Sequence, residues 1–188
     1  MISDKDRAGY FGGSDASYIV GNWETASFKN WWLEKLGLRR NEINTKAMKC
    51  GNAFEHRILD CIECRKDHQI IIPELRLRVN YDGDKDGTIY EVKTHKAEKP
   101  FKVSMAYFRQ AQVEMFAMGT KQLYIVSYAL TEQEYKNYFT PIDPERIKYH
   151  KIEYDDGFIN DIFLPRIKAL GGFLERGEMP VWNVPGKS

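Results

Sequence analysis

Two carboxylates and an ammonium group lie close together in the segment from Tyr81 to Lys93. Asp82 stands at the end of one extended run, and Glu91 and Lys93 end the next one. Because side chains alternate along a strand, Glu91 and Lys93 should share one face while Val92 points into the core. Asp82 reaches the same face if the glycine-rich segment folds the two runs into a hairpin. Such a group would hold a hard divalent cation and present a positive charge to a phosphate, as metal-assisted phosphodiester hydrolysis requires.

The same acidic segment allows other interpretations. Asp82, Asp84, Asp86 and Gly87 match the first positions of an EF-hand calcium loop. The twelfth position of that loop needs a bidentate Glu, whereas this chain has Lys93, and the flanking runs resemble strands rather than helices. A plain solvated acidic turn is the third interpretation. If the site is real, a carboxylate of this turn is also a candidate to replace or supplement Asp82.

Composition sets limits on the class of protein. The 188 residues fit one domain, and 43% hydrophobic with 13% aromatic residues suffice for a globular core. No apolar run reaches the roughly 18 residues of a membrane span, and the N-terminus lacks a signal-peptide core, so we expect a soluble cytosolic protein. A net charge of +1 does not by itself indicate nucleic acid. Positive charge is nevertheless grouped, at Arg39, Arg40, Lys46 and Lys49 and at Lys93, Lys96, Lys99 and Lys102.

The three cysteines, Cys50, Cys61 and Cys64, do not suggest a redox or metal role. Their number is odd and no secretory signal is evident, which argues against disulfides. An iron–sulfur cluster needs four cysteine ligands, and this chain has no fourth cysteine. We therefore interpret them as apolar residues packed along a helix.

The hydrophobic periodicity predicts an α/β domain with a mixed sheet. The predicted helices cover 14–20 (with Ser14 or Asp15 as N-cap), 26–36, 46–65, 102–118 and 156–175, the last kinked at Pro165. The predicted strands cover 68–72, 74–80, 88–94, 122–130 and 147–153. Within one domain, 1–188, we distinguish an N-terminal helical region (1–45), a catalytic core (46–130) and a C-terminal strand and helix (131–188).

Two helices contribute further polar candidates. Glu55 lies beside the apolar stripe of the long helix, where a lone Glu is usually a boundary residue. Tyr107, Gln110 and Glu114 lie on neighbouring turns of a later helix that is otherwise mostly apolar. A glutamine on a buried helix needs hydrogen-bond partners, and in isolation a bond to a neighbouring strand would explain it.

Taken in chain order, these motifs resemble the YqaJ-like viral recombinase family, the lambda-exonuclease branch of the PD-(D/E)XK nucleases. The resemblance covers roughly residues 7–130 and depends on the order of the motifs more than on any one of them. The motifs are Gly12-Gly13-Ser14-Asp15-Ala16, Trp31-Trp32-Leu33-Glu34-Lys35-Leu36-Gly37, Gly51 to Glu55, Tyr81-Asp82-Gly83, Glu91-Val92-Lys93 and Tyr107-x-x-Gln110-x-Gln112-x-x-Met115-x-x-x-Gly119. The fold that the resemblance implies is α/β, a restriction-endonuclease-like PD-(D/E)XK core with a mixed central sheet flanked by helices.

The resemblance also implies roles for individual residues. The metal ligands would be Glu55, Asp82, Glu91 and the carbonyl of Val92. Lys93 would position or activate the attacking water and stabilise charge on the phosphorus, and Gln110 would orient the site, so the catalytic set is Lys93, Glu91, Asp82 and Gln110. Arg7 and Ser14, seven residues apart, resemble a pair that binds the terminal 5′-phosphate of DNA in related exonucleases.

The function implied is a Mg²⁺-dependent exonuclease, with Mn²⁺ able to substitute, that resects double-stranded DNA ends 5′→3′ for phage-type recombination. The resemblance further implies a single-strand annealing protein as partner, a homotrimeric ring around DNA, no membrane association, and a location in the cytoplasm of a bacterial host as a phage or prophage product. An endonuclease or nickase on the same core is one alternative. A catalytically silent DNA-binding or regulatory module is another, against which the intact set of Asp82, Glu91 and Lys93 argues.

Overall fold

A five-stranded mixed sheet flanked by helices forms the centre of the molecule. The computed structural model describes residues 8–39 and 45–181. The strands are β1 (Arg65–Ile72), β2 (Leu77–Lys85), β3 (Thr88–Lys96), β4 (Leu123–Leu130) and β5 (Ile147–Ile152). The α-helices are α1 (Ala16–Ile19), α2 (Ala26–Lys35), α3 (Lys46–Cys61), α4 (Met105–Met118), α5 (Glu132–Lys136) and α6 (Leu164–Arg176). None of the helices in these ranges is long and apolar enough to cross a membrane.

The strands lie in chain order across the sheet, and only β3 and β4 are parallel. Helix α4 makes the crossover between those two strands, as a parallel pair requires. The hairpin of β2 and β3 turns at Asp86 and Gly87, which both have positive φ, 49° and 77°. Two left-handed residues make a tight turn that matches strand twist. The acidic segment is therefore a hairpin between strands, as predicted, and not an EF-hand loop between helices.

Strands β2 and β3 stay paired only next to this turn. The pairs run from Gly83 with Tyr90 to Lys85 with Thr88, and beyond them the strands separate. In place of the next backbone bond, the Asp82 carboxylate accepts the Val92 N–H at 2.7 Å. The separation thus begins where the candidate carboxylates lie.

Helices cover the two faces of the sheet differently. Helix α3 packs Phe54 and Ile58 against one face, with Val92 among their neighbours. Helix α4 packs Ala111 and Met115 against the other face, next to Ile89. The N-terminal helices and α6 form a further aromatic-rich core around the outer side of α4. Because β3 alternates its side chains, Glu91 and Lys93 face α4 while Val92 faces α3.

Several boundaries differ from the sequence prediction. Helix α3 ends at Cys61 rather than at 65, because Glu63 adopts the left-handed conformation (φ 57°) and directs the chain into β1. The segment predicted as strand 74–80 begins with a short 3-10 turn, Pro73–Leu75, and β2 then continues through the acidic residues to Lys85. Cys61 is exposed, not packed, whereas Cys64 and Cys50 are buried, and all three are free thiols.

The N- and C-terminal helices also differ in detail. The segment predicted as helix 14–20 is a 3-10 turn, Gly13–Asp15, followed by α1, and Gly12 is its N-cap. The predicted C-terminal helix is interrupted: Phe158–Phe163 forms a π-helical turn, and α6 follows with Pro165 near its start. Proline has no N–H to donate, which explains why regular α-helical bonding is broken there.

Candidate active site

Glu91 is the centre of the polar cluster between β3 and α4. Its side chain is only 6% exposed. Oε1 accepts hydrogen bonds from Lys93 Nζ at 2.7 Å and from Gln110 Nε2 at 2.6 Å. Oε2 is buried and has no partner among the described residues. A buried carboxylate with one free oxygen is costly in the protein interior, so a missing partner is implied.

A second buried glutamate, Glu114, lies on α4 one turn after Gln110. Glu114 is completely buried, and its Oε1 accepts a hydrogen bond from Gln110 Nε2 at 2.8 Å. Its Oε2 has no partner in the described portion of the chain. Gln110 thus bridges Glu91 and Glu114 through one amide nitrogen, while its Oε1 lies 3.4 Å from Lys93 Nζ. The i, i+4 spacing on α4 places Gln110 and Glu114 on the same side of the helix.

Glu55 reaches the cluster from the other layer. It lies on α3, and its carboxylate interacts electrostatically with Glu91 and Lys93. Close approach of α3 to β3 is possible because Gly51 has no side chain: a Cβ there would lie 3.0 Å from Thr94 Oγ1. A cleft of about 330 Å³ opens between the two elements and is lined by Glu55 and Lys93 among others. A substrate can therefore approach the cluster from this side.

The acids of the cluster raise one another's pKa values. Burial and the charges of Glu91 and Glu55 hold the pKa of Asp82 well above its usual range. Burial and the charge of Glu91 do the same to the pKa of Glu114. Burial and Glu91 also raise the pKa of Glu55. Two like charges about 4 Å apart repel by roughly 4 kcal/mol at an effective dielectric near 20, so these groups must take up protons or a cation.

Lys93 is the single cation in contact with the Glu91 carboxylate among the described residues. Burial alone would lower the pKa of Lys93. The pKa is nevertheless raised above the usual value, because Glu91 is negatively charged and accepts a hydrogen bond from Lys93 Nζ, and because Asp82 adds a second negative charge. The ammonium lies 5.1 Å from the centre of the Tyr107 ring, at cation–π distance. Lys93 is thus held protonated and oriented. One ammonium does not balance four nearby carboxylates.

The donor set fits a hard divalent cation such as Mg²⁺. Carboxylate oxygens are its preferred protein ligands, and Glu91 Oε2 and Glu114 Oε2 are free to bind. Within residues 8–39 and 45–181, no group of three or more Asp, Glu, His and Cys side chains is arranged so that it could hold a metal ion as it stands. In this arrangement Asp82 accepts a hydrogen bond from the Val92 N–H, and Glu91 accepts one from Lys93. The mutual repulsion of the carboxylates is relieved either by protons or by a bound cation.

The structure brings most of the predicted residues together. Asp82, Glu91, Lys93 and Gln110 meet at the cluster, Glu55 faces it, and Val92 lines the adjoining cleft. Ser14 is exposed on the 3-10 turn next to Gly13, whose missing Cβ would lie 3.5 Å from the Glu114 side chain. Arg7 lies outside the described residues.

Asp84 does not replace or supplement Asp82. It is fully buried, but its Oδ2 lies 2.5 Å from Arg65 Nη2 and its Oδ1 lies 2.9 Å from His68 Nε2. The contact with His68 has the distance of an ion pair without good hydrogen-bond geometry. Asp67 lies between these two basic residues and has a positive φ of 59°, while the register of β1 with β2 is continuous across it. Asp84 therefore has its own partners and belongs to the hairpin.

Glu114 is the site residue to which the sequence analysis assigned no role. Its position on a largely apolar helix, four residues after Gln110, is the signal that would have identified it. Tyr107 was noted for its spacing, but its contact with Lys93 was not foreseen.

Comparison with known proteins yields likenesses in structure only. No protein-family model and no curated protein matches the chain. The alkaline exonuclease LHK-Exo from Laribacter hongkongensis superposes with a TM-score of 0.64 and 24% identity over 92% of this chain and 95% of that chain. The structure of LHK-Exo in complex with dAMP superposes with a TM-score of 0.69 and 22% identity over 91% of this chain and 90% of that chain. A phage-related exonuclease from Haemophilus somnus 129PT superposes with a TM-score of 0.69 and 14% identity over 92% of this chain and 96% of that chain. The chain thus has the fold of these exonucleases, an α/β restriction-endonuclease-like PD-(D/E)XK core.

Proposed function

We propose that this protein is a Mg²⁺-dependent exonuclease that degrades double-stranded DNA from its ends in the 5′→3′ direction. The observation that carries the proposal is the placement of Glu91 and Lys93, in contact at 2.7 Å, among three further mutually repelling acids at the separation of β2 and β3. The likeness to exonuclease structures supports the same chemistry. A catalytically silent module would gain nothing from burying so many carboxylates together.

The cation would be held by Glu55, Asp82, Glu91 and the carbonyl of Val92. Mn²⁺ should replace Mg²⁺, since both accept carboxylate, carbonyl and water oxygens. When bound, such a cation polarises the phosphate and lowers the pKa of bound water. Its charge would also relieve the repulsion that raises the pKa values of Asp82 and Glu55.

Lys93 would stabilise the negative charge that develops on the scissile phosphate. It is suited to this because Glu91 and Tyr107 fix its ammonium and because its raised pKa keeps it protonated at neutral pH. A preoriented charge at a partly buried position acts more strongly on a transition state than a mobile one in water. Lys93 would also position the water molecule that attacks phosphorus.

Gln110 would orient the site without taking part in proton transfer. Its amide nitrogen contacts both Glu91 and Glu114, so it fixes the two carboxylates relative to one another. With Nε2 donating to these acids, its Oε1 faces Lys93. A substitution at Gln110 should therefore disturb the orientation of Glu91 and Lys93 together.

Recognition of DNA ends would depend on the N-terminal segment. Ser14 is exposed next to the turn that touches Glu114, which is a suitable place for a 5′-phosphate near the site. Arg7 would add a bidentate contact. A homotrimeric ring, a single-strand annealing partner and a role in phage-type recombination belong to the same proposal.

A cleavage assay on two DNA forms tests the function. Linear and closed-circular duplexes of the same sequence are incubated with Mg²⁺, Mn²⁺, Ca²⁺ or EDTA, and the linear form carries either a 5′-phosphate or a 5′-hydroxyl. We expect degradation only of linear DNA, only with Mg²⁺ or Mn²⁺, and faster from the phosphorylated end. Efficient cutting of closed circles would instead identify an endonuclease, and no cleavage of either form would refute a nuclease.

A further inference from the structure

The outer part of the cleft between α3 and β3 carries polar side chains that have no role in the proposed chemistry. Asn52 and Thr94 line this cleft together with Glu55 and Lys93. Gly51 of α3 lies opposite Thr94 of β3, while Glu55 interacts with Lys93. The helix and the strand thus run past each other in opposite directions. Residues before Glu55 and after Lys93 therefore lead away from the polar cluster along the two walls of the cleft.

Asn52 is an amide without a partner on the helix wall. It lies three residues before Glu55, so the two side chains project from the same side of α3. Asn52 is exposed, and its side chain forms no hydrogen bond with any residue that the structure describes. Asparagine is also a poor helix former, so it does not serve the stability of α3. Its amide is available to donate a hydrogen bond to a ligand in the cleft.

The chain at the end of β3 is held in a fixed turn. The Ala97 N–H donates to the Leu130 carbonyl at 2.9 Å, which ties the turn to β4. The Lys99 N–H donates to the Lys96 carbonyl at 3.0 Å. His95 Nδ1 lies 3.1 Å from the Lys96 carbonyl oxygen and 2.9 Å from that of Lys99. Because a carbonyl oxygen only accepts, Nδ1 is the donor, and the ring of His95 closes the turn that carries the two lysines.

Positive charge on this turn is not neutralised by neighbouring acids. Lys96 and Lys99 are both exposed, and neither forms an ion pair with a described acid. Glu98, which lies between them in the chain, is exposed as well and pairs with neither. By contrast, the exposed Lys121 just before β4 is paired with Asp156 at 2.9 Å. Unpaired lysines beside a free amide fit the phosphate backbone of a nucleic acid, which lysine and asparagine side chains commonly contact.

Lys96 faces the cleft from the strand wall. Side chains alternate along β3, so Val92, Thr94 and Lys96 all face α3. The residue paired with Lys96 on β4 is Leu130, which belongs to the core that α3 packs against. Two residues of a strand span about 6.6 Å, which is similar to the separation of successive phosphates in a DNA strand. Lys96 thus lies about one nucleotide further from the polar cluster than Thr94.

We propose that Asn52, Lys96 and Lys99, here named the cleft mouth, bind the phosphate backbone of the DNA strand that enters the polar cluster. The Asn52 amide donates a hydrogen bond to the phosphate next to the one that is cleaved, and the two lysines pair with phosphates further along the same strand. The inference depends on the proposed function for its ligand class. The cleft mouth contributes to the affinity for DNA and not to the chemical step, and it does not distinguish base sequences.

DNA binding measured without cleavage tests the cleft mouth separately from catalysis. Fluorescence anisotropy with a labelled blunt duplex in EDTA is recorded over a range of salt concentrations for wild type, Lys96→Gln, Lys99→Gln, Asn52→Ala and Lys168→Gln. Lys168 is the matched control, because it is also exposed and forms no ion pair in the described part of the chain. It lies on α6, which packs on the other side of the sheet from α3. Alanine at position 52 favours the helix, so the variant should remain folded.

We expect Lys96→Gln and Lys99→Gln each to weaken binding about tenfold at low salt and to reduce the steepness of log K against log[salt] by about 0.9, the loss of one phosphate contact. Asn52→Ala should weaken binding several-fold with an unchanged slope, because the amide is uncharged. Lys168→Gln should bind as wild type.

Wild-type affinity and slope in both lysine variants, or an equal loss in Lys168→Gln, would overturn the proposal whether or not the wild type cleaves DNA. A wild-type protein that does not bind the duplex at low salt would overturn it as well. Wild-type affinity of Asn52→Ala would contradict the role of that amide. If the wild type binds but cleaves no DNA, and the lysine variants show the shallower slope, the catalytic proposal fails and the cleft mouth stands.

Discussion

Two glutamates among the residues that the structure describes are completely buried, and their surroundings are opposite. Glu114 on α4 and Glu134 on α5 are both 0% exposed. Burial would raise the pKa of Glu134, but hydrogen bonds from Arg146, Thr131 and Tyr128 lower it to about 2. The pKa of Glu114 is held well above its usual range by burial and by the charge of Glu91.

The oxygens of Glu134 have several donors each. Oε1 accepts from Arg146 Nη2 at 2.7 Å and from Tyr128 Oη at 2.9 Å. Oε2 accepts from Arg146 Nη1 at 2.9 Å and from the Thr131 N–H at 2.7 Å, which closes a capping box at the start of α5. This carboxylate therefore joins α5, β4 and the start of β5.

The comparison shows how to decide whether a buried acid supports the fold or belongs to a functional site. A buried carboxylate whose hydrogen-bond donors are all supplied by the protein stabilises the fold and needs no further ligand. A group of buried carboxylates that repel one another and retain free oxygens destabilises the fold unless something else binds there, and such groups are typical of functional sites. The acids around Glu91 are of the second kind.

The largest expected effect is on catalysis. We expect Glu91→Gln to reduce DNA cleavage by about 10³-fold or more, the scale on which loss of a directly acting group is felt. Single-turnover cleavage of a labelled linear duplex with Mg²⁺ measures it. Glu134→Gln, assayed at a temperature at which it is folded, should cleave at close to the wild-type rate.

Asp84→Asn is the matched control for Asp82→Asn, since the two acids are two residues apart on β2. Asp84 is bound by Arg65 and His68 on the hairpin, so its replacement should lower the melting temperature but leave cleavage within a few-fold of wild type. Asp82→Asn should abolish cleavage. If Asp84→Asn folds fully but is inactive, the site has been assigned to the wrong carboxylate.

The second effect is on stability. A pKa displaced from 4.5 to about 2 corresponds to roughly 3 kcal/mol, so Glu134→Gln should lower the free energy of unfolding by about that amount near pH 7. Urea denaturation followed by circular dichroism measures the change. Glu132→Gln on the same helix is the control, because that acid is exposed and its pair with Lys136 at 3.7 Å should contribute little. Equal effects of the two substitutions would contradict the structural role of Glu134.

The same two glutamates should respond to pH in opposite directions. The pKa of Glu134 is lowered in the fold, so its stabilisation is present above about 4.5 and is lost as pH falls toward 2. The pKa of Glu114 is raised, so in the absence of divalent cations the fold loses stability as pH rises above 4.5.

Consequently the melting temperature of Glu114→Gln should exceed that of wild type in EDTA, by a margin that grows from pH 4.5 upward. The deficit of Glu134→Gln should be largest at neutral pH and should shrink below pH 4.5. Thermal melts of the three proteins in EDTA from about pH 3 to 8 measure both trends. A margin for Glu114→Gln that shrinks with rising pH would mean that Glu114 has an unrecognised cationic partner.

The smallest effect concerns the spacing of α3 and β3. A Cβ at position 51 would lie 3.0 Å from Thr94 Oγ1, so Gly51→Ala should shift α3 by a few tenths of an ångström and carry Glu55 with it. We expect a several-fold loss of cleavage rate without loss of stability, because alanine favours the helix by about 1 kcal/mol. Adding Thr94→Ala removes the contact and should restore activity. Failure of this rescue would show that the spacing is not what limits the rate.

Much of the fold follows from local signals in the sequence. Gly119 and Ser104 mark the ends of α4, the alternation around Glu91 and Lys93 predicts their common face, and Asp86-Gly87 is a strong turn signal. These features depend on residues near one another in the chain, where periodicity and capping decide the conformation.

Other features depend on contacts that the sequence does not display. The continuation of β1 to Arg65 follows a left-handed Glu63 and includes a left-handed Asp67, although neither residue is a glycine. Helix α5 is only five residues long and is stabilised by the distant Arg146. The place of Glu114 in the cluster and the separate pairing of Asp84 likewise depend on which strand or helix packs opposite. The roles of Glu55, Lys93 and Gln110 came from the resemblance and are still predictions.

Binding of a divalent cation tests the central claim, that the carboxylates around Glu91 require one, most directly. Thermal melts of DNA-free protein are recorded at about pH 8, where the acids are most strongly driven to ionise, in EDTA and with increasing Mg²⁺ or Mn²⁺, for wild type, Glu91→Gln and Glu134→Gln. We expect the cation to raise the melting temperature of wild type and, by the same increment, of Glu134→Gln, but not of Glu91→Gln. No rise for the wild type at millimolar Mg²⁺ or Mn²⁺, or an equal rise for Glu91→Gln, would contradict the claim.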